Sequence, residues 1–373
     1  MIASRPQPEI PTPADSSPSD RPDAPAPQPT GTSRWAAARP VLTVLTSETK
    51  RWPAAFDRLR DEAELRVVEA QDLGDALPGT DVLLMWDFFS EALADVFDRA
   101  DRLGWIHAAS AGVDKLMFPA LRNSQVTLTN ARGTFDRPIA EFVLSFVLLL
   151  AKDMPRSWDD QRARVWQHRE TEDVAGTTAM IVGVGAIGRE TARLLRAVGM
   201  RVVGAGSRAR DGDPDFDTIV DSAELARHVG DVDWLVNIAP LTRATENLLD
   251  AEVFAALPNH ARVVNVGRGA SLDTSALIAA LESGSIAGAG LDVVDTEPLP
   301  EDHPLWSVPN LVLTPHMSGD THGWVQRLAD GFLANWDRYL AGETLQNRID
   351  LTTGYSAEGP KTAARPTTAE GRA

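Results

Sequence analysis

The chain has 373 residues, enough for about two domains at a typical ~150 residues each, and its 43% hydrophobic and 24% charged content is that of an ordinary globular protein. A net charge of −17 disfavours nucleic acid and anionic membrane as partners, because phosphate binding needs clustered Lys and Arg. The absence of cysteine excludes a disulfide framework, a thiolate nucleophile and Cys-ligated zinc or iron–sulfur centres.

Residues 1–38 are rich in Pro, Ala, Ser, Thr and Asp and lack apolar clusters. Such a segment cannot bury enough surface to offset its ordering entropy, so a disordered tail is predicted there and again over 355–373. Between them, Val41–Leu45 reads as a strand, followed by Leu65–Glu69, Asp81–Met85 and Trp105–Ala108, with helical stretches between. Ile139–Lys152 predicts a helix apolar on most faces and therefore buried. Its most apolar run, Phe142 to Ala151, is interrupted by Ser145 and is far shorter than the ~20 residues of a bilayer span. No basic and then apolar leader opens the chain, so a cytoplasmic location is expected. Thr178–Val182 is the next strand, Ala186–Val198 a helix, and Arg201–Ala205 a strand. Trp234–Ile238, Ala261–Val266, Ala287–Val293 and Leu311–Leu313 are further strands, with a helix over Thr274–Ser283. Repeated β–α–β units with near-continuous apolar strands predict parallel, doubly wound sheets, and the two series on either side of the 139–152 helix predict two α/β domains.

The strand Thr178–Val182 runs directly into Gly183-Val-Gly185-Ala186-Ile187-Gly188 and then a helix. In that setting the first glycine permits a tight turn, the second lets backbone approach a pyrophosphate, and the third allows close helix–strand packing. The pyrophosphate is expected at the helix N-terminus, where N–H groups and the dipole favour anions. An NAD site carries Asp or Glu at the end of the next strand to hold the ribose 2′-hydroxyl. Here that position falls on Gly206, and Ser207 and Arg208 follow, with no carboxylate until Asp211. This favours NADP(H) over NAD(H), with Ser207 and Arg208 on the 2′-phosphate; the rival is that Arg208 and Arg210 are solvated loop charges.

Three later phrases carry chemistry: Asn265-Val-Gly-Arg268-Gly269, Asp295-Thr-Glu297-Pro298 and Thr314-Pro-His316. Arg, Glu and His are the set a carbonyl reduction needs: a charge clamp, a group that tunes the base, and a proton donor. No Gly-x-Ser-x-Gly and no His-Glu-x-x-His occurs, which disfavours a serine hydrolase and a zinc enzyme; no metal is expected.

Together with Pro240-Leu-Thr242-Arg-Ala-Thr245, Leu291-Asp292-Val293, Glu297-Pro-Leu-Pro300 and His303-Pro-Leu-Trp306, these phrases run in the order found in the D-2-hydroxyacid dehydrogenases, which the chain resembles from about residue 40 to 355. Among them it is most similar to the glyoxylate/hydroxypyruvate reductases of the A type. The resemblance implies a flavodoxin-like substrate domain, split over 39–136 and 317–354, with a Rossmann cofactor domain, 137–316, inserted in it. It implies that Arg268, Glu297 and His316 are catalytic. A 2-oxo acid sets a carboxylate beside a ketone, which the planar Arg268 fork can bind together. His316 would protonate the ketone oxygen as hydride arrives, and a hydrogen-bonded Glu297 would favour the protonated ring and fix it. By the same resemblance the Ser110–Asp114 loop, through Ala111, Gly112 and Val113, holds the substrate carboxylate. Pro240 and Thr242 line the cofactor loop. Asp292 contacts the nicotinamide amide, with a capping role as its rival. Trp86 stands near substrate or else in the core. The implied partner is a small 2-oxo acid such as glyoxylate or hydroxypyruvate. The implied assembly is a homodimer with the 139–152 helix in its interface. Other substrates on the same machinery, phosphite or a bulkier 2-oxo acid, stay open. So does a nucleotide-sensing role like that of the C-terminal-binding-protein corepressors, which share the fold and the triad.

Overall fold

The structure is a computed structural model that describes residues 39–48, 52–355 and 357. The tails predicted at 1–38 and 355–373 lie outside the described residues except for Tyr355 and Ala357.

Short, mostly apolar strands flanked by helices build two sheets, parallel but for the last strand. In the first, β1 (Val41–Leu45), β2 (Glu64–Val68), β3 (Val82–Met85), β4 (Trp105–Ala108) and β5 (Thr127–Asn130) pair in the order β2-β1-β3-β4-β5. This is the flavodoxin-like order. In the second, β6 (Thr178–Val182), β7 (Arg201–Gly206), β8 (Ile219–Asp221), β9 (Trp234–Asn237), β10 (Arg262–Asn265), β11 (Gly288–Leu291) and β12 (Leu311–Leu313) pair in the order β8-β7-β6-β9-β10-β11-β12. That is the Rossmann order with one strand more. The short β13 (Arg348–Ile349) returns from the C-terminal part of the chain and pairs antiparallel with β5. β1, β3, β4, β9 and β11 are buried at every residue, as strands covered by helices on both faces must be.

Helix α1 (Asp136–Ala151) lies on the second sheet, with Val143, Phe146 and Val147 packed on Ile181, Val236 and Val264. Gly290 of β11 makes room for it, since a Cβ there would lie 2.7 Å from the Phe146 ring. Helices α2 (Met154–Ala163), α3 (Ala186–Ala197), α4 (Ala251–Ala256), α5 (Thr274–Ser283) and α6 (Trp324–Ala341) follow. Helix α6 sends Phe332 and Trp336 back onto the first sheet, where both stack on Trp105 with ring centroids 5.5 and 6.5 Å away. No helix among the described residues is long and apolar enough to cross a membrane.

The fold class is the expected one. Several predicted strands are shorter in the structure, notably β10 and β11, because the chain turns out of the sheet early to form the loops described next. β5, β8, β13, α2, α4 and α6 have no counterpart among the predicted elements. β5 reads Thr-Leu-Thr-Asn, too polar for a buried strand by composition, yet Leu128, Thr129 and Asn130 are buried because their polar atoms find partners.

Candidate active site

Ligands of doubly wound sheets bind beyond the carboxyl ends of the strands, where the strand order reverses. Here the reversals fall between β6 and β9 and between β1 and β3, and every candidate residue leaves such an end.

The glycine turn follows β6. Gly183 has φ +104°, and a Cβ on it would lie 2.8 Å from the Ala239 nitrogen in the loop after β9. A Cβ on Gly188 would lie 1.9 Å from the Gly183 carbonyl oxygen, so α3 closes directly onto the turn. Gly185 is different: a Cβ there would meet nothing within 4 Å, and no side chain caps the helix that it opens. Ala186 and Ile187 form the first turn of that helix. An open, uncapped helix N-terminus with small residues fits a dinucleotide pyrophosphate. Across from it, the Thr245 hydroxyl accepts from the Thr242 N–H at 2.8 Å and donates to the Pro240 carbonyl at 2.6 Å, which ties the loop after β9 into a compact turn.

At the end of β7, Val184 packs over Gly206; a Cβ at 206 would lie 2.9 Å from its methyl group. The carboxylates that follow are each held by a neighbour, with Asp213 and Asp215 withdrawn from solvent and Asp211 exposed. Asp211 accepts from Thr218 at 2.8 Å, Asp213 from Arg189 at 2.8 Å, and Asp215 from Arg189 and Arg193 at 2.8 and 2.9 Å. Arg189 chiefly holds Asp213 down to about 2. Arg210 bonds to Asp213 at 3.3 Å, while Ser207 and Arg208 are exposed and Arg208 has no ion-pair partner among the described residues.

Arg268 leaves β10 on a turn fixed by buried amides. Asn265 and Ser271 donate to the Arg268 carbonyl at 3.0 and 2.5 Å, and Asn237 donates to both Asn265 and Ser271 at 3.0 and 2.6 Å. The Arg268 Nε and Nη2 donate to Asp114 Oδ1 at 3.1 and 2.9 Å. Asp114 ends the Ser110–Asp114 loop after β4. In that loop Asn130 donates to the Ala111 carbonyl at 2.6 Å and the Val113 side chain is buried, leaving Gly112 against the guanidinium.

His316 and Glu297 meet at 2.7 Å, Nδ1 to Oε2, each about one-third exposed. Burial opposes ionisation of Glu297, but the His316 hydrogen bond and charge, the Val294 N–H and the Arg268 charge together hold its carboxyl below the ordinary range. His316 takes φ +50°, and Asp292 sets the turn that carries it. The buried Asp292 carboxylate accepts from the Thr314 hydroxyl at 2.6 Å and from the Met317 and Ser318 N–H groups at 2.9 Å. Its backbone carbonyl accepts from the His316 N–H at 2.7 Å. Trp86 lies in the core, 3% exposed, edge-on to Phe56 at 4.9 Å. The aromatic ring beside His316 is Phe89, edge-on at 5.7 Å and exposed.

Residues 144–318 match the family model described as the NAD binding domain of D-isomer specific 2-hydroxyacid dehydrogenases. A glyoxylate/hydroxypyruvate reductase A of Serratia proteamaculans is 30% identical over 82% of this chain and 96% of its own length. Among solved structures, a D-isomer specific 2-hydroxyacid dehydrogenase of Xanthobacter autotrophicus in complex with NADPH and MES superposes with a TM-score of 0.73 at 30% identity, covering 85% of this chain and 100% of that one. An NADPH-dependent glyoxylate/hydroxypyruvate reductase of Sinorhizobium meliloti, in complex with NADP and sulfate, superposes with 0.71 at 27% identity, covering 85% and 99%.

The chain belongs to the D-isomer-specific 2-hydroxyacid dehydrogenase family. It is therefore an oxidoreductase with a Rossmann dinucleotide-binding domain. In this dehydrogenase the structure brings Glu297 and His316 into contact and joins Arg268 to the 110–114 loop. Sequence reasoning did not single out Asn237, Ser271 or Phe89. A polar residue ending an otherwise apolar strand, as Asn237 ends β9, is the signal that was there to find.

Proposed function

We propose that this dehydrogenase transfers hydride between NADP(H) and a small 2-oxo acid or D-2-hydroxy acid, such as glyoxylate or hydroxypyruvate. The observation that carries the reading is the His316–Glu297 hydrogen bond with the Arg268 charge beside it. The bound nicotinamide supplies the hydride. Arg268 clamps the substrate carboxylate and carbonyl through its fork, with backbone N–H groups of Ala111, Gly112 and Val113 on the carboxylate. His316 gives its proton to the carbonyl oxygen in reduction and removes it in oxidation, while the ionised Glu297 favours the imidazolium and fixes the ring. Asp292 uses three of about four acceptor positions on the 314–318 turn, which leaves one for an amide donor from the nicotinamide.

The domains in this reading are 137–316 for cofactor, with 39–136 and 317–354 for substrate. Gly183, Gly185, Ala186, Ile187 and Gly188 receive the pyrophosphate, and Pro240 and Thr242 border the cofactor. Ser207 and Arg208 face the 2′-phosphate. Gly206 at the end of β7 and the engagement of Asp213 and Asp215 with Arg189 and Arg193 support NADP(H). A homodimer is supported by exposed apolar side chains on α1, α2 and the residues just after: Leu148, Met154, Trp158, Val165 and the fully exposed Trp166.

The test is a panel of 2-oxo acids assayed with NADH and NADPH in parallel, on the native protein and on Arg208→Ala. Rapid NADPH loss with glyoxylate or hydroxypyruvate is expected, and the variant should weaken NADPH use while hardly changing NADH use. Cofactor binding with no turnover across the panel would defeat the enzymatic reading; equal losses with both cofactors would defeat the 2′-phosphate assignment.

A further inference from the structure

Arg268 leaves the end of β10 and meets Asp114 from the loop after β4, 154 residues away in sequence. Its Nε and Nη2 both donate to one oxygen, Asp114 Oδ1, while Nη1 donates to the Gly267 carbonyl at 2.9 Å. One N–H then remains on each terminal nitrogen of the five-donor guanidinium. The ion pair is largely withdrawn from water, with side chains 29% and 17% exposed, so solvent screens the mutual neutralisation only in part. The loop is shaped around this contact: a Cβ on Gly112 would lie 2.0 Å from Arg268 Nη2 and 2.9 Å from Asp114 Oδ1.

A lone guanidinium in a cleft attracts any small anion. A guanidinium already paired to a carboxylate has lost most of that long-range attraction, and a ligand regains it only by reaching both free N–H groups at once. We propose that Asp114 is a positioning and specificity residue that aims the Arg268 fork and cancels its charge. The clamp then answers to the joined carboxylate and carbonyl of a 2-oxo acid rather than to small anions in general. This rests on Arg268 being the substrate clamp of the proposed function.

Two variants of the full chain separate charge from aim. Asp114→Asn keeps an oxygen for Nε and Nη2 but removes the charge; Asp114→Ala removes both. Acetate, which carries a carboxylate but no adjacent ketone, is the probe, measured as an inhibitor of glyoxylate-dependent NADPH oxidation. Asp114→Asn should lower the acetate inhibition constant about fivefold, the scale of one partly screened charge. Asp114→Ala should lower kcat at least about tenfold, because a misaimed fork no longer sets the carbonyl for transfer. NADPH affinity should stay as in the native protein for both. An acetate constant that is unchanged or raised in Asp114→Asn, or a native kcat in Asp114→Ala, overturns the proposal. A merely structural role would raise the acetate constant and KM together. Native protein that turns over no 2-oxo acid would instead bring down the clamp reading itself.

Discussion

His107, in the middle of β4, should make this protein lose stability in mild acid. The ring is fully buried beside Trp105 and Phe332; Nδ1 meets the Thr129 hydroxyl at 2.8 Å, and Nε2 has no hydrogen-bond partner among the described residues. Burial penalises the charged form and pulls the imidazole down to about 3, against 6.5 when free. The unfolded chain therefore binds a proton here below about pH 6.5 that the folded chain refuses until about pH 3. The stabilising contribution is fully present above 6.5 and falls by about 1.4 kcal/mol for each pH unit below it. Between pH 7 and 5 the loss is about 2 kcal/mol, a sizeable part of a stability of ~5–15 kcal/mol. His107→Leu removes the titration and leaves the Thr129 hydroxyl its bond from Trp105 Nε1 at 2.8 Å. The assay is urea unfolding at pH 7, 6 and 5, read by tryptophan fluorescence. The native protein should lose about 2 kcal/mol more than His107→Leu over that range. Equal losses in the two proteins would refute the reasoning.

Two further outcomes are expected. His316→Asn should lower kcat by about 10²–10⁴ while NADPH affinity is kept, the range for loss of a general acid; unchanged turnover would remove His316 from the chemistry. Trp166→Lys should convert the proposed homodimer to a monomer by light scattering, since a charge on a fully exposed apolar side chain opposes its burial; a native mass would place the interface elsewhere.

Both sheets were legible because parallel strands buried on two faces must be apolar runs, and β1, β4 and β6 stand within the predicted bounds. The glycine turn was legible because the spacing of its glycines is dictated by local contacts, the Gly188 approach to Gly183 above all. What composition hid were partnerships across long stretches of chain. Thr129 and Asn130 are polar and buried at once because Trp105, His107 and the Ala111 carbonyl share their hydrogen bonds. That Asp114 takes Arg268 as its partner follows from the meeting of two sheets, which no local pattern encodes. Trp86 and Phe89 mark the same limit at short range: both leave β3, but the turn sends Trp86 onto Phe56 and Phe89 onto His316, and spacing from the strand does not say which.

The site is unevenly built, and the unevenness follows its chemistry. Arg268 and His316 hang from buried, hydrogen-bonded anchors. The Asp292 carboxylate, 1% exposed, takes three donors to shape the His316 turn, and Asn237 with Asn265 and Ser271 fixes the Arg268 carbonyl. An unmade bond in any of these would leave a buried polar group unsatisfied at about 1–3 kcal/mol, so the loops have little freedom to take another shape. Ser207 and Arg208 have no side-chain hydrogen bond or ion pair among the described residues and stand exposed, while the exposed Phe89 rests on Phe88 and His316. In the proposed function, a substitution at Ser207 or Arg208 should therefore alter cofactor preference while the His316–Glu297 geometry stays as it is. The same logic puts Asp114 between the two groups. It is partly buried and paired like an anchor, yet its partner is the proposed substrate clamp, so its replacement should alter selectivity before it alters the fold.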